Sequence, residues 1–461
     1  MNYLSVLLIL TSILLSNQSD INLAFANNPK NISLTIYNQN IAMVSEERSA
    51  DIQKTGNIKL MYSGIPTNID TSSIVVSFTP KAKLFSQNYS FNTISYNSLL
   101  NYHLGKTIHY TEKSDSVEIL EGTLISLSPI LIREKNYGAI YKPYQLFFPD
   151  IPKDMAVKPS LFWNIQTTNH ILDINLRYLT RGISWSSDYN INMIDNERLN
   201  INGWITIDNN SGATYNNANI NVVAGDLNIA NRDKISLMSY KKRSLKSMPN
   251  IKSESLLGYY LYKIPFKETI KDKEKKQILF IEKEGIKYNK YSINNEEFHF
   301  YNFGERELSF TQIIKFKNSI NNRLGVPLPK GDVRVYKKDN SNQVHFVGSM
   351  NIKNTPKEES VEIAIGKHFD IVGKETIKEY RETSKERFVK YSINVKNRGN
   401  QNEIIKIKKS IPINRGTLII KDSCANHCSK KSINAFTTMY TLSLEPNEEY
   451  NIDISYNNTN I

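Results

Sequence analysis

The sequence predicts an all-β protein made of multiple β-sandwich modules of immunoglobulin-like type, with a small inserted β unit and one short helix. Three observations predict it. Apolar side chains recur at every second position from one end of the chain to the other, the period of a strand with one buried face. Gly- and Asn-rich turn signals interrupt these runs at short intervals, as in Asn209-Asn-Ser-Gly212 and Asn397-Arg-Gly-Asn400. Beyond the first residues no run of about 18 apolar residues recurs, so no membrane helix is expected.

At the N-terminus, Leu4 to Leu15 form an apolar run too short to span a bilayer, followed by a polar stretch from Ser16 and then by Ala24-Phe25-Ala26. Small side chains at Ala24 and Ala26 suit a signal peptidase, so residues 1–26 read as a signal peptide cut after Ala26. Because Met1-Asn2-Tyr3 carries no basic side chain, a retained anchor stays open as the alternative. No cysteine follows the apolar core, which disfavours a lipoprotein. The mature chain is expected to be exported to the periplasm or beyond the cell, and not to be an integral membrane protein.

A first sandwich region is expected over 27–83 and 151–230. Its alternating runs include Ile32, Leu34, Ile36, then Ile58, Leu60, Tyr62, then Leu172, Ile174, Leu176, Tyr178, and finally Tyr189, Ile191, Met193. Between its halves, 84–150 reads as an inserted small β unit. The helix is placed here, capped at Asn97, running through Ser98 to Tyr102 and stopping at Gly105. Residues 231–257 form a basic, Ser-rich linker or loop around Lys241-Lys-Arg-Ser-Leu-Lys246. A C-terminal sandwich region follows over 258–461, with Tyr391, Ile393, Val395 and Ile452, Ile454, Tyr456 among its alternating sets. An outer-membrane barrel is also built of alternation, but its strands need about 9–11 residues with a charge-free outward face. The runs here are too short and too charged for that.

The formal charge of +13 comes mostly from lysine. Lys, Asn, Ile and Tyr are all abundant while Arg and Ala are scarce, a profile that an adenine- and thymine-rich coding bias produces without selection for a basic surface. No nucleic-acid partner is therefore expected, and anionic-polymer binding is the third-ranked functional class. Cys424 and Cys428, four positions apart, suit a local disulfide in an oxidising compartment. Two free thiols, or a metal site with His427, are the alternatives; the latter lacks a fourth ligand, so no metal and no cofactor are expected.

No phosphate loop, paired-histidine helix or Gly-x-Ser-x-Gly elbow occurs. His368 precedes Asp370 by two positions, which on a strand would put both on one face, and reads as an ordinary polar pair. Acidic residues gather at Asp188, Asp195, Glu197, Asp208 and Asp226, and two carboxylates across a cleft are what glycoside hydrolysis requires. Trp163, Trp185, Tyr189 and Trp204 crowd the same stretch. Exposed rings there would stack on sugars, although filling the space between sheets is the commoner fate. From these sets, Trp185, Tyr189, Trp204, Asp208 and Asp226 are the candidate binding residues; no catalytic residue is assigned.

Taken together, Leu34-Thr-Ile-Tyr37-Asn-Gln-Asn-Ile-Ala-Met-Val44, Leu176-Arg-Tyr-Leu-Thr180, Gly182-Ile-Ser-Trp185, Asp208-Asn-Asn-Ser-Gly212, Val222-Val-Ala-Gly-Asp226, Leu328-Pro-Lys-Gly331 and Phe369-Asp-Ile-Val-Gly373 resemble the bacterial exported family catalogued as domain of unknown function 4139. The resemblance spans nearly all of the mature chain and implies export and a β-rich body. It implies no activity and no site residues, and the added coiled coil of some relatives has no counterpart here. The expected function is that of a non-enzymatic envelope protein holding a protein or glycan partner. A hydrolase of envelope carbohydrate or peptide, with its site near Asp188, Asp208 and Asp226, is the alternative.

Overall fold

The computed structural model describes residues 22–90, 94–114, 118–151, 158–225, 252–256, 258–295, 304–410 and 417–459. Most of the expected leader, the basic segment 241–246 and Asp226 lie outside the described residues. The protein is all-β, with multiple, mostly antiparallel sheets and a single α-helix among the described residues. No described helix is long and apolar enough to cross a membrane.

The chain divides into two compact units, one of Met1–Trp185, Ile207–Lys252 and Tyr262–Lys276, the other of Ser186–Thr206, Ser253–Leu261 and Gln277–Ile461. This division differs from the sequence boundaries in giving Ser186–Thr206 to the later unit and Tyr262–Lys276 to the earlier one. The 21-residue strand Glu274–Asn294 runs unbroken across the division, so nothing local marks where one core gives way to the next.

In the first unit, Tyr215–Ala224, Asn31–Tyr37, Ile41–Asp51, Ile171–Arg181 and Ile69–Thr79 lie side by side in one sheet. A second sheet orders Asn22–Phe25, Gly56–Ser63, Ser160–Thr167 and Lys83–Ser90. The two sheets face each other, since the rings of Phe78 from one and Trp163 from the other meet edge-on at 5.8 Å. Leu34, Ile36 and Val44 are wholly buried on one side of this core and Leu60, Tyr62 and Trp163 on the other. Charged groups also lie inside. Glu46 Oε2 accepts from Arg48 Nη2 at 2.6 Å and from the Tyr62 hydroxyl at 2.8 Å, while its Oε1 accepts from Tyr178 at 2.9 Å.

The inserted unit is a five-stranded sheet in the order Ile140–Tyr141, Ile130–Glu134, Leu120–Leu127, Thr107–Thr111, Gln145–Phe147. Its two edge strands are joined by only three residues, Lys142 to Tyr144. In a flat sheet those strands would stand about 19 Å apart, four spacings of about 4.8 Å. The four Cα steps between Tyr141 and Gln145 reach about 15 Å at most. The sheet therefore curls, closing on Leu100, Ile108, Tyr110, Leu124, Ile132 and Leu146. The helix, Tyr96–His103, is capped by Ser95 rather than Asn97: Ser95 Oγ accepts the Ser98 amide and Ser98 Oγ accepts the Ser95 amide. This serine pair closes a reciprocal cap that a search for Asn, Asp or a Ser/Thr-to-Glu pattern passes over. Gly105 ends the turn in the left-handed region (φ 78°).

The second unit closes on a sandwich at its C-terminal end. The sheet Glu305–Leu308, Ile371–Glu382, Glu386–Asn397, Glu449–Thr459, Thr417–Asp422 packs its inner face on Glu403–Ser410 and Thr437–Leu444, burying Tyr391, Ile393, Ile405, Ile407, Leu442 and Ile454. Cys424 and Cys428 form a disulfide across a four-residue separation, which takes both sulfurs out of any metal site. Another part of this unit buries Tyr189, Ile191, Leu199, Ile314, Val335 and Ile363 in a separate core.

Seven core tyrosines, Tyr62, Tyr178, Tyr189, Tyr215, Tyr391, Tyr440 and Tyr456, have hydroxyls pushed above the ordinary phenol range, in each case chiefly by burial. A folded-state pKa above the unfolded value gives stability that is intact below about pH 10 and lost as pH rises towards the folded values. Each such residue removes about 1.4 kcal/mol per pH unit over that interval. The expected outcome is a urea midpoint, read by intrinsic fluorescence, that holds to pH 9.5 and then falls steeply; a constant midpoint to pH 11.5 would contradict it.

Candidate interaction surface

The structure turns two of the sequence-chosen aromatics inward. Trp185 is 5% exposed and its indole nitrogen donates to the Val223 carbonyl at 3.1 Å. Tyr189 is 1% exposed and donates to the Pro329 carbonyl at 2.8 Å. Both are core residues rather than binding residues, because each occupies the buried phase of its strand, Ile183–Met193. Trp163 is likewise enclosed, donating to Gln87 Oε1 at 2.8 Å.

Trp204 lies on the opposite phase of Arg198–Asn209 and is half-buried. Thr206, two residues on and so on the same face, donates to Asp188 Oδ2 at 2.7 Å and accepts from Gln277 Nε2 at 3.2 Å. Arg334 Nη1 reaches Asp188 Oδ1 at 3.3 Å. This row is a set of cross-strand polar pairs on a sheet face, the ordinary way such a face is stabilised.

Every described member of the acidic set holds a local partner or turn. Asp208 accepts from Asn210 Nδ2 at 2.6 Å and pairs with Lys275 at 3.3 Å. Asp195 accepts the amides of Glu197 and Arg198 at 2.8 and 2.7 Å, and those bonds, the Glu197 amide foremost, hold its carboxyl below the usual carboxylate range. Glu197 supplies its backbone carbonyl to the Tyr288 amide. His368 turns to Ser292, its Nδ1 lying 2.7 Å from the hydroxyl oxygen.

A different group is presented outwards. On the inserted unit, Tyr137 is 92% exposed, Tyr144 63%, Ile140 56% and Tyr141 39%, all within eight residues. The backbone that carries them is held firmly. Glu134 accepts the Asn136 and Tyr137 amides at 2.8 and 2.6 Å, and Gly138 adopts φ 71° where a side chain would be strained. Lys135 pairs with Glu121, and the Tyr144 amide donates to the Thr111 carbonyl at 2.8 Å. The result is a rigid turn and strand connector bearing large amphipathic side chains. Such groups offer much contact area at little cost in lost side-chain freedom.

These residues lie outside the most regular strand pattern, where the candidate aromatics were sought. The signal was present in Asn136-Tyr-Gly-Ala-Ile-Tyr-Lys-Pro-Tyr144, where aromatic side chains accompany Gly and Pro in a segment too short to bury them. Fold and surface together define a chain of β-sandwiches whose insertion displays an aromatic face. A scan against protein-family models matches none, and a search of curated proteins finds no similar protein.

Proposed function

We propose that this is an exported, non-enzymatic binding protein of the bacterial cell envelope, and that the inserted unit carries its principal contact surface. The carrying observation is the exposed set Tyr137, Ile140, Tyr141 and Tyr144 on a braced turn. Exposed aromatics clustered on a rigid element are the residue type that dominates protein contacts and also stacks on sugar rings. The leader-like N-terminus and the resemblance to domain of unknown function 4139 support the envelope setting.

The test places a photo-crosslinking side chain at Tyr144, and separately at Phe369, which is 94% exposed on the other unit, in the protein expressed in its own envelope. Crosslinking from Tyr144 is expected to yield one dominant species, absent from the Phe369 protein and reduced at least ten-fold by Tyr137→Ser with Ile140→Ser. Identical products from both positions, or products insensitive to those substitutions, would refute the reading.

A further inference from the structure

The segment expected to leave with the leader is part of the first unit's sandwich. Asn22–Phe25 lies parallel to Gly56–Ser63 at the edge of the four-stranded sheet, with Leu23 opposite Lys59, Ala24 opposite Leu60 and Phe25 opposite Met61. The Ala26 amide continues the ladder by donating to the Met61 carbonyl at 2.8 Å.

The alternation of this strand matches the faces it meets. Ala24, on the inner side, is 6% exposed next to wholly buried Leu60, where only a small side chain is required. Leu23, on the outer side, packs against Met61 and Phe162, the latter also covered by the Lys59 ammonium 4.8 Å from its ring centroid. Gly56–Ser63 is paired on its other side by Ser160–Thr167 throughout its length, so the sheet persists without Asn22–Phe25. A cut after Ala26 would then leave one row of main-chain groups and the Met61–Phe162 pair uncovered.

From this geometry we infer that the Gly56–Ser63 edge is a strand-accepting site, occupied by the leader's last residues in the precursor and by an extended segment of a partner protein in the exported chain. The occupant is a short parallel strand with a branched apolar residue at the Leu23 position and a small one at the Ala24 position. Main-chain hydrogen bonds supply most of the contact and alternate side chains the selectivity, the logic of strand addition to an open sheet edge. The inference takes export from the proposed function and cleavage after Ala26 from the sequence expectation; it does not involve the aromatic surface of the inserted unit, and neither result decides the other.

The experiment uses the exported protein purified from its envelope, its N-terminus determined by sequencing, with hydrogen exchange followed at the amides of 56–63. The probe is the capped heptapeptide Ile-Asn-Leu-Ala-Phe-Ala-Asn, the sequence of 21–27, with its Leu23→Asp counterpart as control. The expected result is a chain beginning at Asn27 whose edge amides are slowed at least ten-fold by the heptapeptide at saturation and unaffected by the control. Two results overturn the inference: a chain that retains Asn22–Phe25, since the edge is then filled in the working protein, or a chain beginning at Asn27 whose exchange the heptapeptide leaves unchanged or the control slows equally.

Discussion

Replacing Glu46 with alanine is expected to destabilise the first unit by about 3–5 kcal/mol, the usual consequence of removing one partner from a buried ion pair. Glu46 and Arg48 are 3% and 5% exposed, side by side on the buried phase of Ile41–Asp51. Besides the Arg48 bonds, Glu46 receives the hydroxyls of Tyr62 and Tyr178. The Arg48 guanidinium also lies 3.8 Å from the Tyr62 ring centroid and donates to the Ser63 carbonyl at 2.7 Å. Burial works against the Arg48 charge while Glu46 and its hydrogen bonds favour it, and the balance leaves Arg48 above its ordinary value. Without Glu46 the cation and two phenols would be enclosed with no acceptor in common. The urea midpoint of the first unit, followed by Trp163 fluorescence with the other tryptophans replaced, measures the loss. Glu46→Leu combined with Arg48→Met is expected to recover most of it, because the core no longer holds an uncompensated charge. A single substitution within about 0.5 kcal/mol of the parent would disprove this account.

The second large effect is expected at Glu375, whose loss should cost the C-terminal sandwich about 3–5 kcal/mol, whereas Lys409→Met should cost far less. Lys409 is wholly buried and its Nζ lies 2.9 Å from Glu375 Oε1. Glu375 is 1% exposed and also accepts from Arg306 Nε at 2.6 Å. The two substitutions are not equivalent. Glu375→Ala removes the carboxylate that faces a buried ammonium, while Lys409→Met leaves the carboxylate with Arg306 and fills the same space with an apolar chain of similar length. Denaturation of Glu375→Ala, Lys409→Met and the double variant, scored as a double-mutant cycle, separates these contributions. Equal losses from the two single substitutions would show that packing, not charge compensation, governs the site.

Much of the architecture was legible because strand alternation is a local code. Ile32, Leu34 and Ile36 are all buried in Asn31–Tyr37, and Ile452, Ile454 and Tyr456 in Glu449–Thr459, on the phase that the sequence indicates. The same code does not announce the charges that lie on buried phases. Glu46, Arg48, Glu375 and Lys409 occupy buried phases, and nothing in their immediate sequence announces partners as far away as Tyr178 or Arg306. The candidate binding set fared similarly. Trp185 and Tyr189 sit on the inward phase of a strand and Trp204 on the outward phase of the next, a distinction that follows from which face the opposing sheet covers.

By itself, the sequence determined the class of the fold and the phase of its strands, because a pleated chain sends successive side chains to opposite sides whatever its neighbours are. Only the tertiary structure decided which charges lie inside, which aromatics face out and which strand completes the edge beside Gly56–Ser63. Those outcomes depend on contacts between segments distant in sequence, 34 residues apart for Glu375 with Lys409 and 132 for Glu46 with Tyr178, and no local pattern carries such pairings.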